Sequence, residues 1–214
     1  MGDSPGRGRR AYLAGMRAHY LVNTGRWADP AIGWEIDLSG AGAVARAKDA
    51  FALGYAALER GDREAASVHL ATLSDLTASD GPGSYGGNPS VPKILEAELN
   101  AMTLLADGAV DEALALMHEA TELEDAMPME YGPPDVVKPS HELLGEMLLE
   151  LGRPAEAQAE FERALALAPR RALSLAGLED AAHMAGDHAT AGRAYVALRE
   201  VWHDADPALL RGTN

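Results

Sequence analysis

An all-helical fold of repeated antiparallel helix pairs, an α-solenoid, is predicted for this 214-residue chain by three observations. The composition is 47% hydrophobic, 24% charged and only 5% aromatic, and it leans on Ala, Leu, Glu and Arg, residues that favour helix. A pattern of small, large and turn residues recurs after 34 positions, the kind of period that marks stacked helical units. Gly or Pro falls where each unit would have to turn or stop. The length suffices to bury a core.

The pattern is plainest in KPSHELLGEMLLELGRPAEAQAEFERALALAPR, which starts at Lys138. Gly145 and Ala157 are small enough to let two helices approach, and Leu144, Leu148 and Phe161 fill the space between them, with Ala164 on the same face. Gly152 turns the chain and Pro169 ends the second helix. One period on, Gly186, Ala191 and Tyr195 stand for Gly152, Ala157 and Phe161.

Taken in chain order, residues 1–10 are Gly-rich and basic and are expected to form an unstructured leader. In 11–42, AYLAGMRAHYLVNTGRW predicts one helix ending at Gly25, and Asp29, Pro30, Gly33 and Gly40 predict an irregular stretch after it, so this segment is expected to be a partial repeat that caps the array. Four helix pairs follow within 43–206: 43–80 with Gly54, Gly61, Ala66 and Leu70, 91–126 with Gly108, Ala113, Met117 and Ala120, then 138–169 and 170–204. A tail is expected over 207–214. Two Gly- and Pro-dense insertions, 81–90 and 127–138, cannot continue a helix. They read either as tolerated surface loops or as flaps over a binding groove, with Tyr85, Met127, Met129 and Tyr131 as contacts.

The residues quoted from Lys138 onward resemble the tetratricopeptide repeat (TPR) family. Together with MRAHYLVNTGRW near the start, they make nearly the whole chain similar to the C-terminal part of a group of uncharacterised bacterial TPR proteins. The resemblance implies a right-handed superhelix that captures peptide or protein on its concave face, and adds nothing about an activity. In such a stack the first helix of each pair lines the groove. That assigns Tyr12, His19 and Asn23, then Lys48, Phe51, Tyr55 and Glu59, then Glu98 and Met102, then Glu142, Glu146 and Glu150, and last Asp180, His183 and Met184. Tyr131 joins them from its loop. The groove so drawn is aromatic at one end and acidic at the other.

Glu142 and Glu146 are four apart and share a helix face, with Glu98 and Asp180 expected on flanking helices. Three readings follow: solvated carboxylates of a very acidic protein, a site for a basic peptide or cationic small ligand, or a metal site. The metal reading, and with it an enzyme alternative, uses Glu142, Glu146, Asp180 and His183, since Asp180 and His183 have the acid-x-x-His spacing of carboxylate-bridged metal sites. His141-Glu142 begins like a zinc-protease HExxH motif, but Gly145 stands where the second His is needed. His69, His118, His188 and His203 are scattered and read as structural or solvent-exposed.

Other chemistry is excluded more directly. The chain has no Cys, so disulfides, thiolate zinc sites and Cys nucleophiles are out. Acids outnumber Lys plus Arg by 33 to 18, and a net charge of -15 repels nucleic-acid phosphates. Lys48, Lys93 and Lys138 lack the Gly of a phosphate-binding GxxxxGK loop, and Pro82 breaks the GxSxG pattern around Ser84. No cofactor and no catalytic residue is therefore assigned. Trp27, Trp34 and Trp202 read as cap or core packing. No apolar run reaches membrane-spanning length and the leader has no signal-peptide core, so a cytoplasmic protein is expected from the chain as it stands, with export of a longer parent an alternative. Partners are expected to be protein, peptide or a cationic small ligand, with a homodimer by stacking of solenoid ends as a further option.

Overall fold

A computed structural model describes residues 7–78, 87–128 and 134–203. Regular structure among these residues is entirely helical: α1 (Arg7–Thr24), α2 (Ala43–Glu59), α3 (Arg63–Ala78), α4 (Ser90–Ala106), α5 (Val110–Asp125), α6 (Ser140–Glu150), α7 (Pro154–Leu167), α8 (Ala172–Ala185) and α9 (His188–Val201), with one short 3-10 turn at Pro30–Gly33. Each of the turns α2–α3, α4–α5, α6–α7 and α8–α9 pivots on a glycine in the left-handed region: Gly61, Gly108, Gly152 and Gly186 have φ of 73, 81, 69 and 82°. The next amide then bonds five residues back, Asp62 to Ala57, Ala109 to Leu104, Arg153 to Leu148 and Asp187 to Ala182, at 2.8 to 2.9 Å. This is the same helix-ending motif made four times, and it satisfies carbonyls that the helix leaves open.

The chain divides into two compact units, Met1–Ser140 and His141–Asn214. In the first, α1 packs on α2, α2 on α3 and α4, α3 on α4, and α4 on α5. Phe51, Leu73, Val91, Ile94, Leu95 and Leu99 fill its core. Gly54 sits where α2 meets its neighbours: a Cβ there would lie 2.5 Å from Leu99 Cδ2 and 3.1 Å from the Cβ of His69.

Several expectations need correcting in this unit. Helix α1 starts at Arg7, inside the leader expected to be unstructured, and Arg10 pairs with Asp37. The insertion 127–138 does not simply cross the surface. Val136 and Val137 are buried in the core of the first unit, Lys48 Nζ bonds Asp135 Oδ1 at 2.6 Å, and Met127 packs against the same core. The described part of the insertion stays irregular, as its prolines require, while its Val-Val pair buries apolar surface. Tyr85, Met129 and Tyr131 lie outside the described residues.

Arg17 ties the irregular stretch after α1 to the helices. Its guanidinium donates to both carboxylate oxygens of Asp49, at 2.6 and 2.8 Å from Nη2, and to the carbonyls of Ala31 and Trp34. Both side chains are buried, so the pair satisfies charges that would otherwise be costly to desolvate.

In the second unit α7 packs on α8 and α8 on α9. Phe161 is fully buried, and its ring is clasped by two glycines: a Cβ on Gly145 of α6 would come within 2.9 Å of it, and one on Gly177 of α8 within 2.3 Å. Asp187 caps α9 by accepting from the Thr190 amide at 3.0 Å. No described helix is long and apolar enough to cross a membrane.

Candidate functional site

Two of the aromatic residues assigned to the groove, Phe51 and Tyr55, belong instead to the core of the first unit. Phe51 is fully buried and Tyr55 nearly so. Tyr55 stacks on Trp27 with ring centroids 4.7 Å apart and meets Phe51 edge-on at 5.8 Å. The physical reason lies before α2: no second helix covers it there, so α1 and the stretch holding Trp27 lie against it, and aromatic area goes to packing. Met102 is half-buried against the same core, and His19 is half-buried, while Tyr12 is exposed.

Glu98, expected in an acidic groove, is fully buried and accepts from Ser140 Oγ at 2.8 Å. Glu142 is corrected in the same way. It sits in the first turn of α6 with no exposure, and Arg171 grips it with two bonds, Nε to Oε2 at 2.6 Å and Nη2 to Oε1 at 2.8 Å. Ser174 Oγ also donates to Oε2. Neither carboxylate faces solvent; at Glu142 the Arg171 guanidinium and the Ser174 hydroxyl stand where water would otherwise bond. Glu142 is thus already engaged by a cation of its own chain.

The neighbouring His141 is buried too, with Nδ1 2.7 Å from Glu160 Oε2, and Glu160 also accepts from Arg163 at 2.6 Å. These partners were not found from sequence. Arg171 lies 29 positions after Glu142 and Glu160 lies 19 after His141, and nothing in a single chain marks such pairs before the helices are packed.

The remaining residues assigned to the groove in the second unit lie on α6 and α8 and reach solvent to differing degrees. Glu146 is half-buried and Glu150 exposed on α6. On α8, Glu179 is half-buried and Asp180, His183 and Met184 are exposed. Packing around Asp180 withdraws enough water to raise its carboxyl above the ordinary value, an effect His183 partly offsets. Glu179 is raised likewise, first by burial and then by the charge of Asp180 beside it, with His183 again opposing. The His183 and His188 rings are 5.7 Å apart. Glu179 was missed by sequence reasoning, although its place beside Asp180 was the available signal. Among the described residues no group of three or more His, Asp or Glu is arranged to hold a metal ion.

Residues 139–171 match the model of the tetratricopeptide repeat family, which covers α6, α7 and the approach to α8. No curated protein and no solved structure matches the chain.

Proposed function

We propose, from the premise that residues 139–171 are a tetratricopeptide repeat in an all-helical chain, that this protein is a scaffold for protein or peptide partners, and that the α6 and α8 surface of its second unit receives a basic segment or a cationic group. What supports the reading is the adjacent pair of carboxylates at the surface of α8, half-buried Glu179 and exposed Asp180, whose carboxyls the packing around them raises above the ordinary value, with the charge of Asp180 adding to this at Glu179 and His183 partly offsetting it. A carboxylate crowded in this way gains more from a guest cation than a freely solvated one, because the cation restores the favourable surroundings that packing removed. Glu150 adds charge on α6, and Met184, 57% exposed and one turn beyond Asp180, offers apolar contact for the stem of a Lys or Arg side chain.

The test is a titration of the full chain with a fluorescent Arg/Lys-rich peptide and with an acidic peptide of equal length. The basic peptide is expected to bind more tightly, and to weaken as salt is added. The double variant Glu179→Gln, Asp180→Asn should lose that preference several-fold without losing stability. The sign follows from linkage: a carboxyl whose folded pKa is raised favours folding below its unfolded pKa, and that contribution is gone once pH rises through the folded value. Removing the two charges at neutral pH therefore leaves melting unchanged or higher. Equal binding of both peptides would falsify the reading, as would an unaltered affinity in the variant.

A further inference from the structure

Carboxylates of the second unit meet two kinds of basic group. Glu142 is gripped by Arg171, a guanidinium that keeps its charge at every ordinary pH. At the surface of α8 the basic group is His183, in the last turn of the helix, and it acts on both Glu179 and Asp180. Imidazole is the side chain whose charge changes between about pH 5 and 8. The counter-charge at Glu142 is therefore permanent, whereas the one beside Glu179 and Asp180 exists only while His183 carries a proton.

The turn that follows fixes a second imidazole beside the first. α8 ends on Gly186 at φ 82°, and the Asp187 amide bonds back to the Ala182 carbonyl at 2.8 Å, so His188 opens α9 with its ring 5.7 Å from that of His183. Both histidines are exposed and can exchange protons with solvent. Two further charged groups on this corner, Asp187 and Arg193, keep their charge across the same range. Asp187 accepts from the hydroxyl and amide of Thr190 and from the neutral Gln158 amide of α7, bonds that hold its carboxyl down to about 2. Arg193 of α9 donates to the Thr190 hydroxyl and stays a cation throughout. Acidification towards pH 6 thus adds positive charge at His183 and His188, beside the carboxylates that would receive a guest.

Taking the α6 and α8 surface to receive a basic segment, as proposed above, we infer that His183 and His188 make that capture acid-labile. Neutral imidazoles leave Glu179 and Asp180 to the guest cation, and imidazolium rings compete with it as Arg171 does permanently at Glu142. The competition is reciprocal: a bound basic segment favours the neutral rings, so binding in the range where they titrate releases protons.

The full chain is titrated with an Arg-rich peptide that contains no histidine, and with an acidic peptide of equal length, at about pH 7.5 and about pH 6. Affinity for the Arg-rich peptide should fall about threefold at the lower pH, the scale set by an added cation several ångströms from the guest in a watery site. In the double variant His183→Gln, His188→Gln, with its helical circular dichroism unchanged, the ratio of the two affinities should approach one. Calorimetry near about pH 6.5 in two buffers of different ionisation enthalpy should show protons released as the wild type binds, and fewer released by the variant. A wild-type affinity equal at the two pH values overturns the acid-labile capture and leaves the binding surface standing. The same holds for a double variant that keeps the full pH dependence, since Glu179 and Asp180 would then be the groups that titrate. Equal binding of the two peptides at the higher pH removes the surface itself, and its regulation with it.

Discussion

At Glu142 one residue shows how far a side chain's surroundings change its role. Four residues before Glu146 on a helix, it reads as half of an exposed acidic pair; in the fold it is fully buried between Arg171 and Ser174. Its replacement therefore tests stability and not ligand binding. Glu142→Gln leaves the Arg171 guanidinium without its counter-charge in a partly buried place, and is expected to cost about 3 kcal/mol. The check is urea denaturation beside Glu150→Gln, which lies exposed on the same helix and should change stability little. If the two variants unfold together with wild type, the pair contributes nothing net. Arg17 and Asp49 follow the same logic in the first unit, where one guanidinium also holds two loop carbonyls.

At the scale of elements, close approach decides which helix faces meet. The clasp of Gly145 and Gly177 around Phe161 links α6, α7 and α8. In an ordinary helix interior, Gly→Ala stabilises by about 1 kcal/mol. At Gly177 the added methyl would lie 2.3 Å from the ring, so the sign should invert and Gly177→Ala should destabilise by about 1–3 kcal/mol through overpacking. Thermal melts of Gly177→Ala and of Gly192→Ala, where a Cβ meets nothing within 4 Å, make the comparison within one protein. A stabilised Gly177→Ala would mean that the ring can move aside. Much of this level was legible in the sequence: the role of Gly145 against Phe161 follows from the repeat, whereas Gly177 falls outside the recurring positions and its contact appears only once α8 is laid on α7.

At the scale of the whole molecule, charge is the dominant feature. A net charge of -15 on 214 residues means that the folded state carries self-repulsion which salt screens. Adding monovalent salt is expected to raise the melting temperature while weakening capture of a basic peptide, two opposite responses from one cause. Melting curves and peptide titrations over the same salt series measure both. A melting temperature that falls with salt would show that specific ion pairs such as Arg17 with Asp49 outweigh the general repulsion.

The repeat period, the turn glycines and the small-large alternation were enough to determine that the chain folds as helix pairs, because each depends on residues within about one turn or one hairpin of one another. The same local information could not assign the candidate site. Phe51 and Tyr55 went to a core that Trp27 completes, Val136 and Val137 left a Pro-rich insertion for that core, and Glu98 and Glu142 were drawn inside by Ser140, Arg171 and Ser174. Each of these outcomes turns on a partner supplied by a different element, and a buried aromatic or carboxylate is distinguished from an exposed one only by what the fold brings against it. Tertiary structure thereby took Glu98 and Glu142 into the interior, left Glu179 and Asp180 on α8 with carboxyls raised by the packing around them and partly offset by His183, and left Tyr12, Met16 and Tyr20 of α1 exposed.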